Sequence, residues 1–207
     1  MAPPIWAGNN PTSDHPQDYV FFLAKEDVPY GCFSNAYRES AGGHMGLSES
    51  FGGGSSTSSD SKFWCVNQEL HYRKAKIFGD HDTAQQILDE KDDAGKIKQL
   101  GRMVKGYDDD KWTELRYDVA RDAVYAKFSS DGALKKILLE TGDKVIVEAA
   151  SDKAWGIGCL EFSTEDKRGA KNREADAWDV APEFWEGQNL LGRCLMDVRK
   201  MIRESQE

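Results

Sequence analysis

FWCVNQELHYRKAKIFGD, residues Phe63–Asp80, opens with apolar side chains and continues with the spacing of an α-helix. Val66, Leu70 and Ile77 recur at intervals that place them on one helical face, with Ala75 beside them. Because a helix packs its apolar face on a core, this stretch predicts a central helix around which the other elements assemble.

The same stretch carries a polar stripe at steps of four and three, formed by Asn67, His71 and Lys74. Such a stripe is either a solvated surface or one wall of a ligand site. Asn and His are poor helix formers, so helix propensity gives no reason to choose them for a plain surface. These residues alone leave both interpretations open.

The length and the charge of the chain bound its class. Its 207 residues fit one domain, and a domain of this size buries roughly 70% of its unfolded surface. There are 27 Lys and Arg against 36 Asp and Glu, a formal net charge of −9. This charge argues against non-specific binding along duplex nucleic acid, although one basic pocket for one nucleotide is compatible with it.

The cysteines Cys32, Cys65, Cys159 and Cys194 are scattered and form no C-x-x-C pair, so we expect neither a zinc site nor a disulfide framework. The sequence has no run of 18 apolar residues and no charged-then-apolar N-terminal signal. It therefore predicts a soluble protein, cytoplasmic or otherwise intracellular, without a membrane span, a metal or a cofactor.

Three segments have compositions that are poor in apolar residues. Residues 1–17 are rich in Pro, Asn and small polar residues and predict a flexible arm, followed by a single domain over residues 18–207. Residues 38–62 are a low-complexity Gly and Ser stretch that we expect to be a flexible insertion without chemistry, with His44 solvated. Residues 163–182 are charged and irregular and predict a second insertion.

Two strands and several helices are expected around the central helix. DYVFFLA, which ends before Lys25, and VIVEAAS, which contains Glu148, read as buried strands. Helices are predicted at 82–90, at 93–105, after the aspartates 108–110 and after Asn189. On the third of these, Trp112, Arg116 and Lys127 share a stripe that either lines a polar cleft or places Trp112 in the core with both cations reaching solvent.

Four strings of residues, in this order, resemble signature motifs of the NADAR superfamily, also called YbiA-like. They are K-x-x-x-P-Y-G-C-F-S-N from Lys25 to Asn35, V-N-Q-E-L-H-Y-R-K-A-K-I-F-G-D from Val66 to Asp80, E-A-x-x-D-x-x-W-G-x-G from Glu148 to Gly158, and W-x-G-x-N-x-L-G-x-x-L-M-x-V-R from Trp185 to Arg199. Shorter matches are L-G-R at residues 100–102 and W-x-x-x-R at residues 112–116, followed by K-F at residues 127–128.

The resemblance implies an α+β fold, in which a helix-rich single domain surrounds a small β-sheet and the motifs converge on one cleft. It also implies an N-glycosidase that cleaves the bond between ribose C1 and a base nitrogen. The implied substrate is ADP-ribose on guanine in a nucleotide, DNA or RNA. A ribosylaminopyrimidine phosphate from riboflavin synthesis is the alternative.

The motif positions imply specific roles. Lys25 would attack ribose C1 and form a Schiff base, with Lys127 as the other lysine in a motif position. Asp152 would stabilise the cationic sugar or move a proton, with Glu148 in a structural or supporting role. The ligand-binding residues implied are Gly31, Phe33, Ser34, Asn35, Glu69, His71, Tyr72, Arg102, Trp112, Arg116, Lys127, Trp155, Gly156, Gly158 and Asn189.

One position departs from the family's pattern. The glutamate of the family's helix motif falls on Asn67, whereas this chain's glutamate is Glu69, and residues two apart on a helix point to different sides. Asn can orient a ribose hydroxyl but cannot act as an acid or base near neutral pH. The chain is therefore either a glycosidase in which Asn67 only orients the substrate or a catalytically weakened module that binds ADP-ribose.

Overall fold

The computed structural model describes residues 18–39, 42–46, 61–158 and 185–206. The predicted arm at 1–17 and the predicted insertion at 163–182 lie outside these residues. The chain divides into two compact units. The first unit contains the described residues of Met1–Ser34 and Ile137–Glu207, and the second unit contains those of Asn35–Lys136. The prediction of one domain over residues 18–207 stays a prediction.

The first unit is built on two parallel strands, β1 (Tyr19–Phe22) and β4 (Val145–Glu148), in the two regions where the sequence predicted them. Phe22 lies opposite Glu148, so the two strands end at the same edge. A 3₁₀ turn over Tyr30–Phe33 follows β1, and the last helix, α6 (Leu190–Glu204), packs on β4. Burial of β-branched and aromatic side chains stabilises this layer.

The second unit is organised around α1 (Val66–Ile77), which packs on the three helices that follow it, α2 (His81–Asp89), α3 (Ala94–Arg102) and α4 (Asp109–Ser130). Val66, Leu70 and Ala75 are buried and Ile77 is half-buried, so the predicted face packs on the core, most tightly at its first positions. This unit also contains the strands β2 (His44–Met45) and β3 (Lys62–Phe63). Helix α5 (Gly132–Glu140) begins in this unit and ends in the first. The molecule is α+β, as predicted.

Two predicted helix limits were wrong. Asp80, not Asp82, caps α2, because its carboxylate accepts a hydrogen bond from the Thr83 N–H at 3.1 Å. Helix α3 ends at Arg102 rather than near residue 105, and Gly106 follows with a φ of 69°, a left-handed conformation that a helix cannot continue through.

The Gly and Ser stretch at 38–62 was expected to be without structure, and the part that the structure describes differs from this. Strand β2 lies within it and pairs in antiparallel fashion with β3, so that His44 lies opposite Phe63. Gly43 has a φ of 99°, and a Cβ there would lie 2.0 Å from the Phe63 carbonyl oxygen. Glycine is required at this position because only its backbone can approach β3 so closely.

Candidate active site

Lys25 lies in a turn that backbone hydrogen bonds fix directly after β1. The Asp27 carboxylate accepts from the N–H groups of Leu23 and Ala24 at 2.9 and 2.7 Å. Gly31 approaches so closely that a Cβ there would lie 2.5 Å from the Lys25 carbonyl oxygen. The Lys25 side chain is half exposed, and Glu26 lies 3.8 Å from its amine. The turn is therefore rigid at its backbone and leaves the amine accessible.

Asp152 lies in a second turn, which follows β4. One carboxylate oxygen accepts from the N–H groups of Ala154 and Trp155, both at 2.8 Å. The Gly156 N–H donates to the Asp152 carbonyl at 3.0 Å, and a Cβ on Gly156 would lie 2.6 Å from the Ala150 carbonyl oxygen. The turn needs glycine at residue 156, and it holds an exposed carboxylate next to the half-buried indole of Trp155.

The two turns leave the same edge of the sheet. Strands β1 and β4 run parallel, and the Ala149 N–H donates to the Phe22 carbonyl at 2.8 Å, which extends the pairing to their ends. Lys25 comes three residues after β1, and Asp152 comes four residues after β4. Half-buried Glu148 is the last residue of β4. The structure thus brings Lys25, Glu148 and Asp152 to one end of a parallel strand pair, the position where α/β sheets bind ligands.

Three other predicted ligand residues of the first unit help to build this edge. Phe33 is buried in the core, edge-on to Phe22 at 5.7 Å, so its side chain packs rather than faces a ligand. Ser34 is half-buried, and its N–H donates to the Gly31 carbonyl at 3.1 Å. Gly158 has a φ of 71°, and a Cβ there would lie 3.0 Å from the Gly187 nitrogen.

Asn189, which precedes the last helix, was predicted to bind ligand. It does precede α6, but its side chain makes no cap hydrogen bond. Instead its amide oxygen accepts from the Glu148 N–H and its NH₂ group donates to the Ile146 carbonyl, both at 2.9 Å. The residue is fully buried, with a φ of 48°. Its amide therefore holds β4 in place, so Asn189 stands at the N-cap position of α6 without capping it through its side chain.

In the second unit, Asn67 and Asn35 are adjacent. The Asn67 N–H donates to the Asn35 carbonyl at 2.8 Å. The side-chain NH₂ of Asn67 and the side-chain oxygen of Asn35 are shielded from solvent, and neither makes a hydrogen bond within the described residues. A buried donor and a buried acceptor without partners are costly, so they are available to a ligand's hydroxyl or amide.

Helix α4 places its predicted stripe at different depths. Trp112 is buried and Arg116 is half-buried. Lys127 is fully buried, with its amine 5.1 Å from the centroid of the Tyr37 ring and 5.2 Å from that of Phe128. The alternative in which both cations of this stripe reach solvent is therefore wrong for Lys127.

The polar stripe on α1 is not a solvated surface, since Asn67 and Lys74 are buried. The Lys74 amine donates to the Gly101 carbonyl at 2.9 Å and lies 4.0 Å from the centroid of the Tyr107 ring. His71 packs against Gly101, where a Cβ would lie 2.2 Å from its Nδ1 atom. Burial, followed by the charges of Lys74, Lys98 and Arg102, lowers the pKa of His71 to about 4.

Two further predicted ligand residues, Tyr72 and Arg102, differ in their exposure. Tyr72 packs on Phe63, with ring centroids 5.3 Å apart, and Arg102 is exposed at the end of α3. His71 and Lys74 of α1 therefore contact α3 at Gly101 and do not form an open polar face.

The sequence interpretation missed a buried array of charged side chains in the second unit. His44 was predicted to be solvated, but it is buried, and its two ring nitrogens contact Glu39 and Glu69 at 2.7 and 2.8 Å. Glu69, predicted to bind ligand, is fully buried within this array. No local signal could have found this array, because Glu69 is 25 residues from His44 along the chain.

Within the described residues, no group of three or more His, Cys, Asp or Glu side chains could hold a metal ion. Among the same residues, no helix is long and apolar enough to cross a membrane.

Comparisons with known proteins found relatives of this chain. The chain is 36% identical over 136 residues to an N-glycosidase of Acanthamoeba polyphaga mimivirus, a match that covers 65% of this chain and 72% of the relative. It is 35% identical over 149 residues to the protein irg-1 of Caenorhabditis elegans, covering 70% of this chain and 64% of that relative. An N-glycosidase of Nostoc punctiforme is 26% identical over 186 residues, covering 89% of this chain and 93% of the relative.

The fold is similar to that of the E. coli protein YbiA, solved by NMR, with a TM-score of 0.62 at 20% identity. That match covers 91% of this chain and 86% of YbiA. The NADAR domain family matches residues 21–203, a range that spans the strings beginning at Val66, Glu148 and Trp185. With this match, this chain belongs to the NADAR domain family.

Proposed function

We propose that this protein is an N-glycosidase that cleaves the bond between ribose C1 and a base nitrogen, and that it removes ADP-ribose from guanine. Two relatives named N-glycosidases, from Acanthamoeba polyphaga mimivirus and Nostoc punctiforme, support the reaction class. The observation that carries the proposal is the position of Lys25 and Asp152, which follow adjacent ends of the parallel strands β1 and β4.

An amine and a carboxylate at one edge suit a covalent route. The neutral amine of Lys25 attacks C1, and the C1–N bond breaks as the leaving base nitrogen takes both electrons and a proton. The ribose ring opens, its ring oxygen gains a proton, and C1 becomes an imine of Lys25. Water then adds to C1 and displaces the amine, which releases ADP-ribose and regenerates the free amine of Lys25. Asp152 would be the group that moves these protons.

A carboxylate route needs no covalent intermediate. The C1–N bond breaks with both electrons on the base nitrogen, and the charge of Asp152 stabilises the cationic sugar that remains. Water attacks C1, its proton passes to a carboxylate, and the carboxylate gives this proton to the leaving base nitrogen. Glu148, the last residue of β4, would support Asp152 in either route. The two routes differ in one observable, because only the lysine route forms an adduct that a hydride donor can reduce.

The other predicted ligand residues are assigned within each unit by itself. In the first unit, Trp155 beside the Asp152 turn would stack on a flat ring. In the second unit, Trp112 on α4 would also stack on a flat ring, and Arg102 and Arg116 would contact phosphate, because a guanidinium matches phosphate oxygens with two parallel hydrogen bonds. The unpartnered NH₂ of Asn67 and oxygen of Asn35, also in the second unit, would contact hydroxyl groups of a ribose.

Asn67 also favours a second candidate function, an ADP-ribose-binding module without turnover. The family's glutamate would be able to exchange a proton at this position, whereas an amide cannot near neutral pH. The binding module and the glycosidase differ in their response to Asn67→Glu, because restoring a carboxylate would activate a silenced catalyst.

The test is release of ADP-ribose from an oligonucleotide that carries ADP-ribosyl guanosine, followed by chromatography. We expect Lys25→Ala and Asp152→Ala each to lower turnover by roughly 10²-fold or more. Lys153→Ala is the matched control, since Lys153 is exposed beside Asp152 and pairs with Glu186 across 2.5 Å. It should retain wild-type turnover.

Each outcome separates the alternatives. Borohydride trapping of a sugar on Lys25 supports the lysine route, whereas loss of turnover in Asp152→Ala without any trapped adduct supports the carboxylate route. Binding of ADP-ribose without release by the wild-type protein, and without gain in Asn67→Glu, would overturn the proposal in favour of the binding module. If only a ribosylaminopyrimidine phosphate is cleaved, the proposed reaction class stands and the proposed substrate is wrong.

A further inference from the structure

His44 lies between two carboxylates in the interior of the second unit. Its Nδ1 atom is 2.7 Å from Glu39 and its Nε2 atom is 2.8 Å from Glu69. The His44 side chain has no exposed surface, and the side chains of Glu39 and Glu69 are 2% and 1% exposed. At these distances each contact requires a proton between nitrogen and oxygen.

The geometry determines the number of protons in this array. A neutral imidazole has one N–H, so it could donate to only one carboxylate and would direct a lone pair at the other. Two protons are needed for two hydrogen bonds. An imidazolium ring between two ionised carboxylates supplies both, and it leaves a buried cluster with a net charge of −1 from Glu39, His44 and Glu69.

Among the described residues, the ion pairs that extend this array start at Glu69. Arg73 on α1 lies 3.5 Å from Glu69, and Asp122 on α4 lies 3.4 Å from Arg73. Strand β3 faces His44 with the ring of Phe63, whose centroid is 6.1 Å from that of the imidazole. The array therefore joins Glu39, β2 and α1, and it reaches α4 through Arg73.

Backbone hydrogen bonds and a closely packed glycine on either side of His44 hold it against Glu39 and Glu69. The Glu39 N–H donates to the Trp64 carbonyl, and the Gly46 N–H donates to the Ser61 carbonyl, both at 3.2 Å. A Cβ on Gly46 would lie 2.7 Å from the Phe63 ring and 3.3 Å from a Glu69 oxygen. The segment containing Glu39 and residues 42–46 is therefore packed tightly over the start of α1.

We propose that His44 is a proton-dependent latch, in which the imidazolium ring holds Glu39 and Glu69 together and fastens Glu39 and residues 42–46 to α1. Loss of the ring proton would leave two buried carboxylates with one donor and release the segment. This latch does not depend on the proposed glycosidase activity, because it concerns the stability of the second unit.

The direction of the pH dependence follows from the ring's pKa. Burial acts to lower the pKa of His44, but the hydrogen bonds to Glu39 and Glu69 and their charges outweigh it and raise the pKa to about 9. The ring titrates near 6.5 when the chain is unfolded. Its contribution to stability is therefore fully present below about pH 6.5 and is lost as the pH rises towards 9.

The experiment compares the melting temperature of the full chain from pH 6 to pH 9.5 for wild type and His44→Gln. We expect His44→Gln to lower Tm by roughly 10 °C at pH 6.5, with the two curves converging as the pH approaches 9. His81→Gln is the matched control, since His81 is an exposed histidine at the start of α2. It should follow the wild-type curve.

Nuclear magnetic resonance of the wild-type protein, with ¹⁵N-labelled histidine, tests the same point without a variant. We expect both ring nitrogens of His44 to carry protons at pH 7.5. A neutral ring at that pH, a titration midpoint near 6.5, or parallel melting curves for wild type and His44→Gln would each overturn the latch.

Discussion

His44 and His71 are two shielded histidines of the second unit, and they have opposite charge states near neutral pH. Carboxylates face both ring nitrogens of His44, and its pKa is raised to about 9. Around His71, burial and the cations Lys74, Lys98 and Arg102 lower the pKa to about 4. Burial disfavours the imidazolium at both positions, so the sign of the neighbouring charges decides the outcome.

The difference also affects packing. His44 binds its neighbours through charge, and each of its nitrogens has a partner. His71 has an Nδ1 atom that makes no hydrogen bond to any described residue and lies against Gly101, so it contributes by shape. A change of charge should therefore damage the surroundings of His44, whereas a change of volume should damage those of His71.

The largest effect is expected from Glu69→Gln, which keeps the shape of the side chain and removes its charge. This variant leaves His44 and Arg73 without their shared carboxylate in the interior, and breaking a buried ion pair costs about 3–5 kcal/mol. Urea unfolding at pH 7 measures the loss. Glu114→Gln on the exposed face of α4 is the control and should leave the unfolding midpoint unchanged. A loss below about 1 kcal/mol in Glu69→Gln would show that the charge of Glu69 is not needed.

The second-largest effect tests how tightly His71 packs against Gly101. A Cβ on Gly101 would lie 2.2 Å from its Nδ1 atom, so Gly101→Ala should destabilise the protein by about 1–3 kcal/mol through overpacking. The double variant Gly101→Ala with His71→Ala should recover much of this loss, because it removes the clash. Gly132→Ala is the control, since a Cβ there meets no atom within 4 Å. If Gly101→Ala is as stable as Gly132→Ala, the contact with His71 is not tight.

Much of the fold could be predicted because its signals are local. The run around Tyr19–Phe22 is aromatic and β-branched, and the core face of α1 follows helical spacing. Asp108 caps α4 by accepting from the Lys111 N–H, close to the start that the acidic run predicted. The parallel pairing of β1 with β4 joins residues more than a hundred positions apart, and strand composition does not specify such a partner.

The position of a predicted site residue in the fold followed from the sequence where the side chain comes directly after a strand, but not where a distant partner determines its contacts. Lys25 and Asp152 were named from motifs, and the structure places them after adjacent strand ends. The amide of Asn189 could have met a ligand or a backbone, and it meets the backbone of β4. His44 was missed because its partner Glu69 is 25 residues away along the chain, and the composition of the segment around His44 does not indicate that contact.

The smallest expected effect is a pH dependence of stability that distinguishes His71 from His44. The folded protein keeps His71 neutral until about pH 4, whereas the unfolded chain protonates it near 6.5, so His71 lowers stability as the pH falls below 6.5. His71→Gln removes this titration, and its stability relative to wild type should rise by about 1 kcal/mol between pH 6.5 and 5.5. Urea unfolding at both pH values gives the difference, with His81→Gln as the exposed control. Because the His44 contribution is already complete at pH 6.5, a change in the opposite direction would mean that His71 is charged in the folded protein and that nearby cations do not set its state.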